Sequence, residues 1–426
     1  MATRTEVDRL LVHCSELVPL TDGPATGARR GAAMGVVTTI RDGAVAITNG
    51  RIVAVGTSTE LLARYRAADV IDLSGFVVTP GFVDAHTHPV FAGTREDEFH
   101  RRCAGADYMA IAAAGGGILK SVRQLREATE AELAARVRDH FDAFLRLGTT
   151  TIEAKSGYGL STADERKSLR ALAAAEAGHP LTVRRTFLGA HEFPPEYRDD
   201  REAYVRLLID EMLPAVRGLA TSCDVFAEPK VFDRSQTIRI LSAARAEGMR
   251  LRLHADEIEP MGGAELAVEM RADSADHLAQ VSERGIDALA ASNTVAILLP
   301  GTSFLLRKQK HAPARALLDR GCAVALATDF NPGSCTLQSV PLLLSLACVL
   351  LQMTPQECIH AVTINAAASL QLDAEIGTLH AGKRADLVAL DLPSFEGLGY
   401  VFGGNPVAMT IKDGRVVATN TCELDT

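Results

Sequence analysis

The chain has 426 residues, 47% apolar and 23% charged, with 44 Lys and Arg against 53 Asp and Glu for a formal net charge of −9. This is the composition of a soluble globular protein with a large core, and its mildly acidic balance argues against binding nucleic acid or an anionic membrane through the overall field. The longest apolar run, 341–351, falls well short of the roughly 20 residues a bilayer demands and is expected to be a core helix.

Residues 1–20 carry Arg4, Glu6, Asp8 and Arg9 and no secretory pattern. The eight cysteines (14, 103, 223, 322, 335, 348, 358 and 422) are scattered without a C-x-x-C pair. Free thiols in a reducing cytoplasm are expected, and no cysteine zinc site.

Residues 7–78 are strand-rich. Two β-branched runs within 43–56 flank Asn49-Gly50, the dipeptide that favours a type I′ hairpin. A short helical period falls at 59–66, and 69–78 reads as one more strand. The C-terminal end has a related pattern. Short strands at 385–390, 407–412 and 415–418 surround Asp413-Gly414, and "DGRVVA" near the C-terminus resembles "NGRIVAVG" near the N-terminus. The expectation is one small β-sandwich domain built from both termini, 1–78 and 371–426, around a central domain at 79–370.

The central stretch alternates strand and helix. Leu133, Val137, Phe141, Phe144 and Leu145 form one helical stripe within 132–147, closed by Gly148. Thr162–Glu165 has the spacing of a capping box opening the next helix. Further helices are expected at 236–247, 264–270, 283–291 and 313–320. Strands are expected at 82–86, 149–154, 182–188, 223–227, 250–254, 273–276, 294–299 and 322–328. Eight strands alternating with helices are the pattern of an α/β fold of the (β/α)8 TIM-barrel type. A doubly wound sheet would carry a G-x-G-x-x-G turn after its first strand. The only glycine cluster, 115–117, follows no clear strand and is taken as a mobile loop.

A barrel places its chemistry at the C-terminal ends of its strands. Five of the twelve histidines, His86, His88, His191, His254 and His277, fall at those ends. His86 and His88 follow the apolar pair Phe82-Val83, and strand period 2 points both to one face. With His254 and Asp329 they make a nitrogen-and-carboxylate set suited to Zn2+ or Fe2+ with one position open for water. Glu257, three residues past His254, is placed to shuttle the water's proton. His277 faces the same mouth and could steady an oxyanion, and Asp329 could share in the proton transfers. Glu228 and Lys155 are taken as structural, and Cys335 as a bystander. The other seven histidines are assigned to surface or packing.

The segments "DAHTHPVFAGTREDEFHRR" (84–102), "AGGGI" (114–118), "KSGYGL" (155–160), "FLGAHEFPPEY" (187–197), "LHADE" (253–257), "SADHL" (274–278) and "ATDFNPGS" (327–334), with "GKRADLVALD" (382–391), resemble the amidohydrolase superfamily. Within it they resemble the imidazolonepropionase family of histidine degradation. The motifs span the barrel in order and are specific as a set. The resemblance implies hydrolysis of 4-imidazolone-5-propanoate to N-formimidoyl-L-glutamate by a cytoplasmic homodimer with one zinc or iron per subunit. It places metal ligands on His86, His88, His254 and Asp329. It places substrate contacts on Arg95, Tyr158, His191, Glu257, Asn331, Gly333 and Ser334. Arg95 is chemically suited to grip a propionate carboxylate. One departure is "DVFAEPKVF" (224–232), where Pro229 and Lys230 replace an expected glycine-containing turn. Alternatives are another cyclic amidase or deaminase of the superfamily, or a non-catalytic scaffold on the same fold.

Overall fold

A computed structural model describes residues 4–105 and 116–420. The N-terminal segment forms β1 (Arg9–Leu17), β2 (Ile40–Thr48) and β3 (Arg51–Thr57). β2 and β3 are the expected hairpin. Asn49 and Gly50 take φ of 52° and 71°, as a type I′ turn requires. Helix α1 (Ser58–Arg64) follows, opened by a reciprocal cap between Thr57 and Glu60.

The single strand expected over 69–78 is instead two, β4 (Asp69–Asp72) and β5 (Val77–Pro80). The Asp72 carboxylate accepts the Ser74 N–H at 2.8 Å, and this side-chain turn interrupts the extended run.

The barrel strands are β6 (Phe82–Asp84), β7 (Thr149–Lys155), β8 (Thr182–Ala190), β9 (Ser222–Ala227), β10 (Arg250–Ala255), β11 (Ser274–His277), β12 (Val295–Leu298) and β13 (Val324–Leu326). All eight lie within two residues of the expected bounds. Each pairs in parallel with the next, in chain order. The seam between β13 and β6 closes just past the strand ends. Thr87 and Phe330 bridge, Asp329 N–H donates to His86 O at 3.0 Å, and His88 N–H donates to Phe330 O at 2.8 Å.

The outer layer includes α2 (Glu96–Cys103), α3 (Glu130–Arg146), α4 (Thr162–Glu176), α5 (Arg234–Ala246), α6 (Gly263–Glu269), α7 (Glu283–Ala290), α8 (Ala314–Asp319) and α9 (Val340–Leu351). The stripe expected on α3 is its buried face. Helix α9 is the expected core helix at the apolar run. Gly115 lies outside the described residues, and Gly117 is the N-cap of the helix Ile118–Glu127.

After the barrel, β14 (Leu387–Leu390), β15 (Val407–Lys412) and β16 (Arg415–Thr419) join the N-terminal strands. The order is β16-β15-β14-β5-β1-β2-β3, with β4 beside β1. Both termini thus build one continuous sheet, with its own apolar cluster that includes Leu11, Leu17, Val45, Val78, Leu387 and Ile411.

The cap of α4 differs from expectation. Ser161, one residue earlier, accepts the Asp164 N–H. Glu165 is released from capping and turns inward. Its buried carboxylate accepts the N–H groups of Gly157, Gly159 and Leu160 at 3.0, 2.8 and 2.9 Å. It thereby shapes the loop that carries Tyr158. Removing an acceptor that serves three buried donors leaves them unpaired. Glu165→Ala is therefore expected to lower stability by about 2–3 kcal/mol, read from urea unfolding.

Candidate metal centre and active site

The barrel interior beneath the mouth is lined with charge. Glu153 and Lys155 of β7, Asp224 of β9, Arg252 of β10 and Asp276 of β11 are all buried. Such groups persist only when paired. The Lys155 ammonium lies 2.8 Å from Glu153 and 2.7 Å from Asp224. Burial disfavours its charge, yet the two carboxylates outweigh that and hold its pKa above the ordinary lysine value. Arg252 donates to Ala85 O at 2.8 Å and Ser369 O at 3.0 Å, and stands 3.7 Å from Asp276.

The histidines sit on this layer. His86 Nδ1 meets Asp276 Oδ2 at 2.6 Å, and His254 Nδ1 lies 3.0 Å from Asp224 Oδ2. Asp276 accepts the hydrogen bond from His86 Nδ1–H, leaving Nε2 of that ring bare and aimed at the mouth. Asp224 stands beside His254 Nδ1 without an aligned hydrogen bond; burial opposes charge on that ring, but Asp224 outweighs it and raises the His254 pKa. Burial depresses the pKa of His86 well below the histidine range and lowers that of His88.

The ring nitrogens converge. His86 Nε2 and His88 Nε2 are 3.3 Å apart, and Asp329 Oδ1 lies 3.3 Å from the latter and 3.7 Å from the former. His86 joins His254 and His277 in a second set, whose ligating atoms lie within 4.8 Å of one another. Ligands about 2.0–2.1 Å from a tetrahedral zinc stand roughly 3.4 Å apart. Two neutral imidazole lone pairs and a carboxylate at this spacing repel one another unless a cation lies between them. The donor set therefore fits a divalent metal. Asp329, at φ 54°, turns its carboxylate inward. Burial opposes its charge, but His88, His277 and Thr302 outweigh it and hold the pKa down to about 2.

The acid–base candidates flank this centre. Burial, helped by the charge of Asp329, pushes Glu257 up to about 7. Its Oε2 lies 3.6 Å from His277 Nε2. Burial pushes His277 down to about 3, so the ring is neutral. Glu228 does not face the centre. Its carboxylate accepts the N–H groups of Glu257, Ile258 and Glu259 at 2.9, 2.9 and 3.1 Å, fixing the loop that carries the acid. The sequence departure at Pro229-Lys230 lies on the outside of this turn, where Lys230 pairs with Glu259. Cys335 donates to Thr328 O, and burial pushes its thiol up to about 12.

The remaining residues named from sequence ring the same mouth. The His191 ring stacks on His88 at 5.3 Å, with its Nδ1–H donated to Gly157 O at 2.9 Å. Tyr158 lies 5.3 Å from His191 and 6.2 Å from His88, between ring centroids. Arg95, N-cap of α2, places Nε and Nη2 2.9 and 2.8 Å from Glu98 Oε2. Its guanidinium lies over Gly333, where an added Cβ would stand 2.1 Å from Nη1, so only glycine fits there undisturbed. The Asn331 side chain is engaged within its own loop. Its amide donates to Asp329 O and Ser334 Oγ, and its carbonyl accepts from Gly333 and Ser334 N–H at 2.9 and 2.7 Å.

Sequence reasoning missed the carboxylates behind the ligands. Asp224 was not singled out, and Asp276 was noted only as a strand end. A signal existed. A charged residue two positions before an inward histidine, or on a barrel-facing position of an otherwise apolar strand, needs a buried partner. Thr302 behind Asp329 carried no such signal.

The fold and the donor set define a metal-dependent hydrolase. The model for the amidohydrolase family matches residues 77–417, and one described as an imidazolonepropionase-like composite domain of bacteria matches residues 43–68. The chain belongs to the amidohydrolase family, which is metal-dependent, and within it to the imidazolonepropionase family. The imidazolonepropionase of Symbiobacterium thermophilum is 49% identical over 96% of this chain and 97% of its own length. That of Herpetosiphon aurantiacus is 44% identical over 98% and 99%. Among solved structures, an adenosine deaminase from Xanthomonas campestris with bound zinc superposes with a TM-score of 0.73 at 20% identity, covering 97% of this chain and 93% of that one. At that identity the likeness concerns the fold.

Asp276→Asn would present an amide to His86 Nδ1 and disturb its tautomer. Metal retention against a chelator is expected to weaken by about 10–100-fold, measured by competition with a fluorescent zinc indicator.

Proposed function

We infer that this protein is an imidazolonepropionase, opening the ring of 4-imidazolone-5-propanoate to N-formimidoyl-L-glutamate in histidine degradation. The observation that carries the reading is the meeting, at one barrel mouth, of His86, His88, His254 and Asp329 with Glu257 and Arg95. The nearly full-length identity to imidazolonepropionases supports it. The four ligands would hold a single zinc or iron ion. When bound, such an ion acidifies a water to a pKa of about 7 and polarises a carbonyl.

This chain's own residues supply the rest. Glu257, lifted by burial to about 7, takes a proton from the attacking water and returns it to the departing ring nitrogen. His277, neutral and beside Glu257, offers a hydrogen bond to the developing oxyanion. Asp329 accepts from Thr302, which fixes its orientation as ligand and proton partner. Arg95 grips the propionate, and Tyr158 and His191 line the ring's seat. Asn331, Gly333 and Ser334 supply further substrate contacts, and Arg95 lies over Gly333. The same reading takes the enzyme as a cytoplasmic homodimer with no nucleic-acid or membrane partner. The net charge of −9 argues against a nucleic-acid or anionic-membrane partner, and no described helix is long and apolar enough to cross a membrane.

The deciding experiment is turnover of imidazolone propionate by purified protein, together with its metal content. Release of N-formimidoyl-L-glutamate with about one zinc or iron per subunit is expected. Opening of hydantoins or deamination of cytosine, with imidazolone propionate untouched, would overturn the reading. Glu257→Gln should retain the metal while kcat falls by about 10²–10⁴-fold. Near-normal kcat would remove Glu257 as the proton carrier. Arg95→Ala should raise KM by roughly 10–100-fold, as expected for losing a charge-assisted pair.

A further inference from the structure

The wall that receives the propionate carries more positive charge than Arg95 alone supplies. Arg102 lies on α2, seven residues beyond its N-cap Arg95 and two turns along. Both guanidiniums meet at Gly333. Arg102 Nη2 donates to Gly333 O at 3.2 Å, and Arg95 Nη1 covers the position a Cβ there would take.

The counter-charge is already committed. Glu98, 5% exposed, takes Arg95 on one oxygen and the Gly117 N–H, at 3.0 Å, on the other. Glu96 turns to Thr94, and Asp97 to Lys120. The Arg102 guanidinium lies 5.8 Å from the Phe99 ring centroid, and its Nε–H is shielded from solvent with no hydrogen-bond partner among the described residues. Burial, and then the nearby charge of Arg95, lower the pKa of Arg102. Among the described residues, two guanidiniums beside one engaged carboxylate leave one positive charge in surplus, with an N–H to spare. A shielded donor and an uncompensated charge are both costly unless a partner arrives.

We propose that Arg102 is a second specificity-determining residue. With Arg95 it forms a paired-guanidinium seat for the substrate's carboxylate, which supplies the missing negative charge. The inference rests on the imidazolonepropionase reading and deepens it. A merely structural Arg102 would pin the Gly333 loop and affect every ligand alike, whereas a carboxylate seat affects only ligands that carry the charge.

The test compares the metal-loaded wild type with Arg102→Met and Arg102→Lys. One readout is steady-state turnover of imidazolone propionate and of its neutral carboxamide counterpart. The other is calorimetric binding of 3-(imidazol-4-yl)propanoate and of the matching propanamide, which needs no turnover. Arg102→Met is expected to raise KM for the carboxylate substrate by about tenfold or more, with kcat changed by less than about threefold. It should weaken propanoate binding by a similar factor and leave both amides unaffected. Arg102→Lys should recover most of the loss, and its melting curve shows that the fold is retained. Equal losses on acid and amide would overturn the seat in favour of a loop pin. No change on either, or a wild type that does not prefer the propanoate over the amide, would also overturn it. A wild type that shows the Arg102-dependent preference yet fails to open imidazolone propionate would sink the catalytic reading and leave the seat standing.

Discussion

A layer of paired charge inside the barrel is the constraint on which the rest of the site depends. Lys155 and Arg252 face Glu153, Asp224 and Asp276 in a region closed to solvent. Each of these side chains would be prohibitively expensive alone. Lys155 is held by short contacts to Glu153 and Asp224, Arg252 stands 3.7 Å from Glu153 and Asp276, and the carboxylates of Asp276 and Asp224 also reach up to His86 and His254. The layer thereby sets which nitrogen of His86 is bare and places a carboxylate beside His254. It also leaves one negative charge in excess beneath the mouth, an electrostatic preference for a cation above it.

The loops over this layer share one device. A buried acceptor collects consecutive backbone N–H groups and holds a loop in a shape its own residues would not choose. Glu165 does this for the loop carrying Tyr158, Glu228 for the loop carrying Glu257, and Asn331 for the turn carrying Gly333 and Ser334. Loops at a barrel mouth are ordinarily the mobile part of the fold. Here the site's side chains stand on loops that are internally anchored, which is how a catalytic constellation is kept in register.

Much of this was legible in the chain, because the strongest signals are periodic. Eight apolar runs separated by helical stripes define the barrel, and the H-x-H at the first run's end has only one geometric reading on a strand. The candidate donor set is read from position, since His254 ends one strand and Asp329 follows the end of another at the same mouth. What escaped was governed by tertiary partners. The extended run at 69–78 is broken by a side-chain turn at Asp72, a hydrogen bond that competes with the strand ladder. Glu165 has the spacing of a capping residue, but a carboxylate can leave a cap when three buried donors await it. Asp224 and Asp276 look like any strand carboxylate until the register places them under histidines.

The seam of the barrel has one more meaning. Its closing contacts join β6 to the end of β13 at the residues that would grip the ion, and Thr328 reaches back 244 residues to bond Asp84. Opposite ends of the central chain therefore become neighbours only when the cylinder shuts. A cation lodged between His86, His88 and Asp329 would act as a clasp on that join. It would tie chemistry to the join between the first and last barrel strands and favour the closed topology by mass action, as any ligand of the native state does.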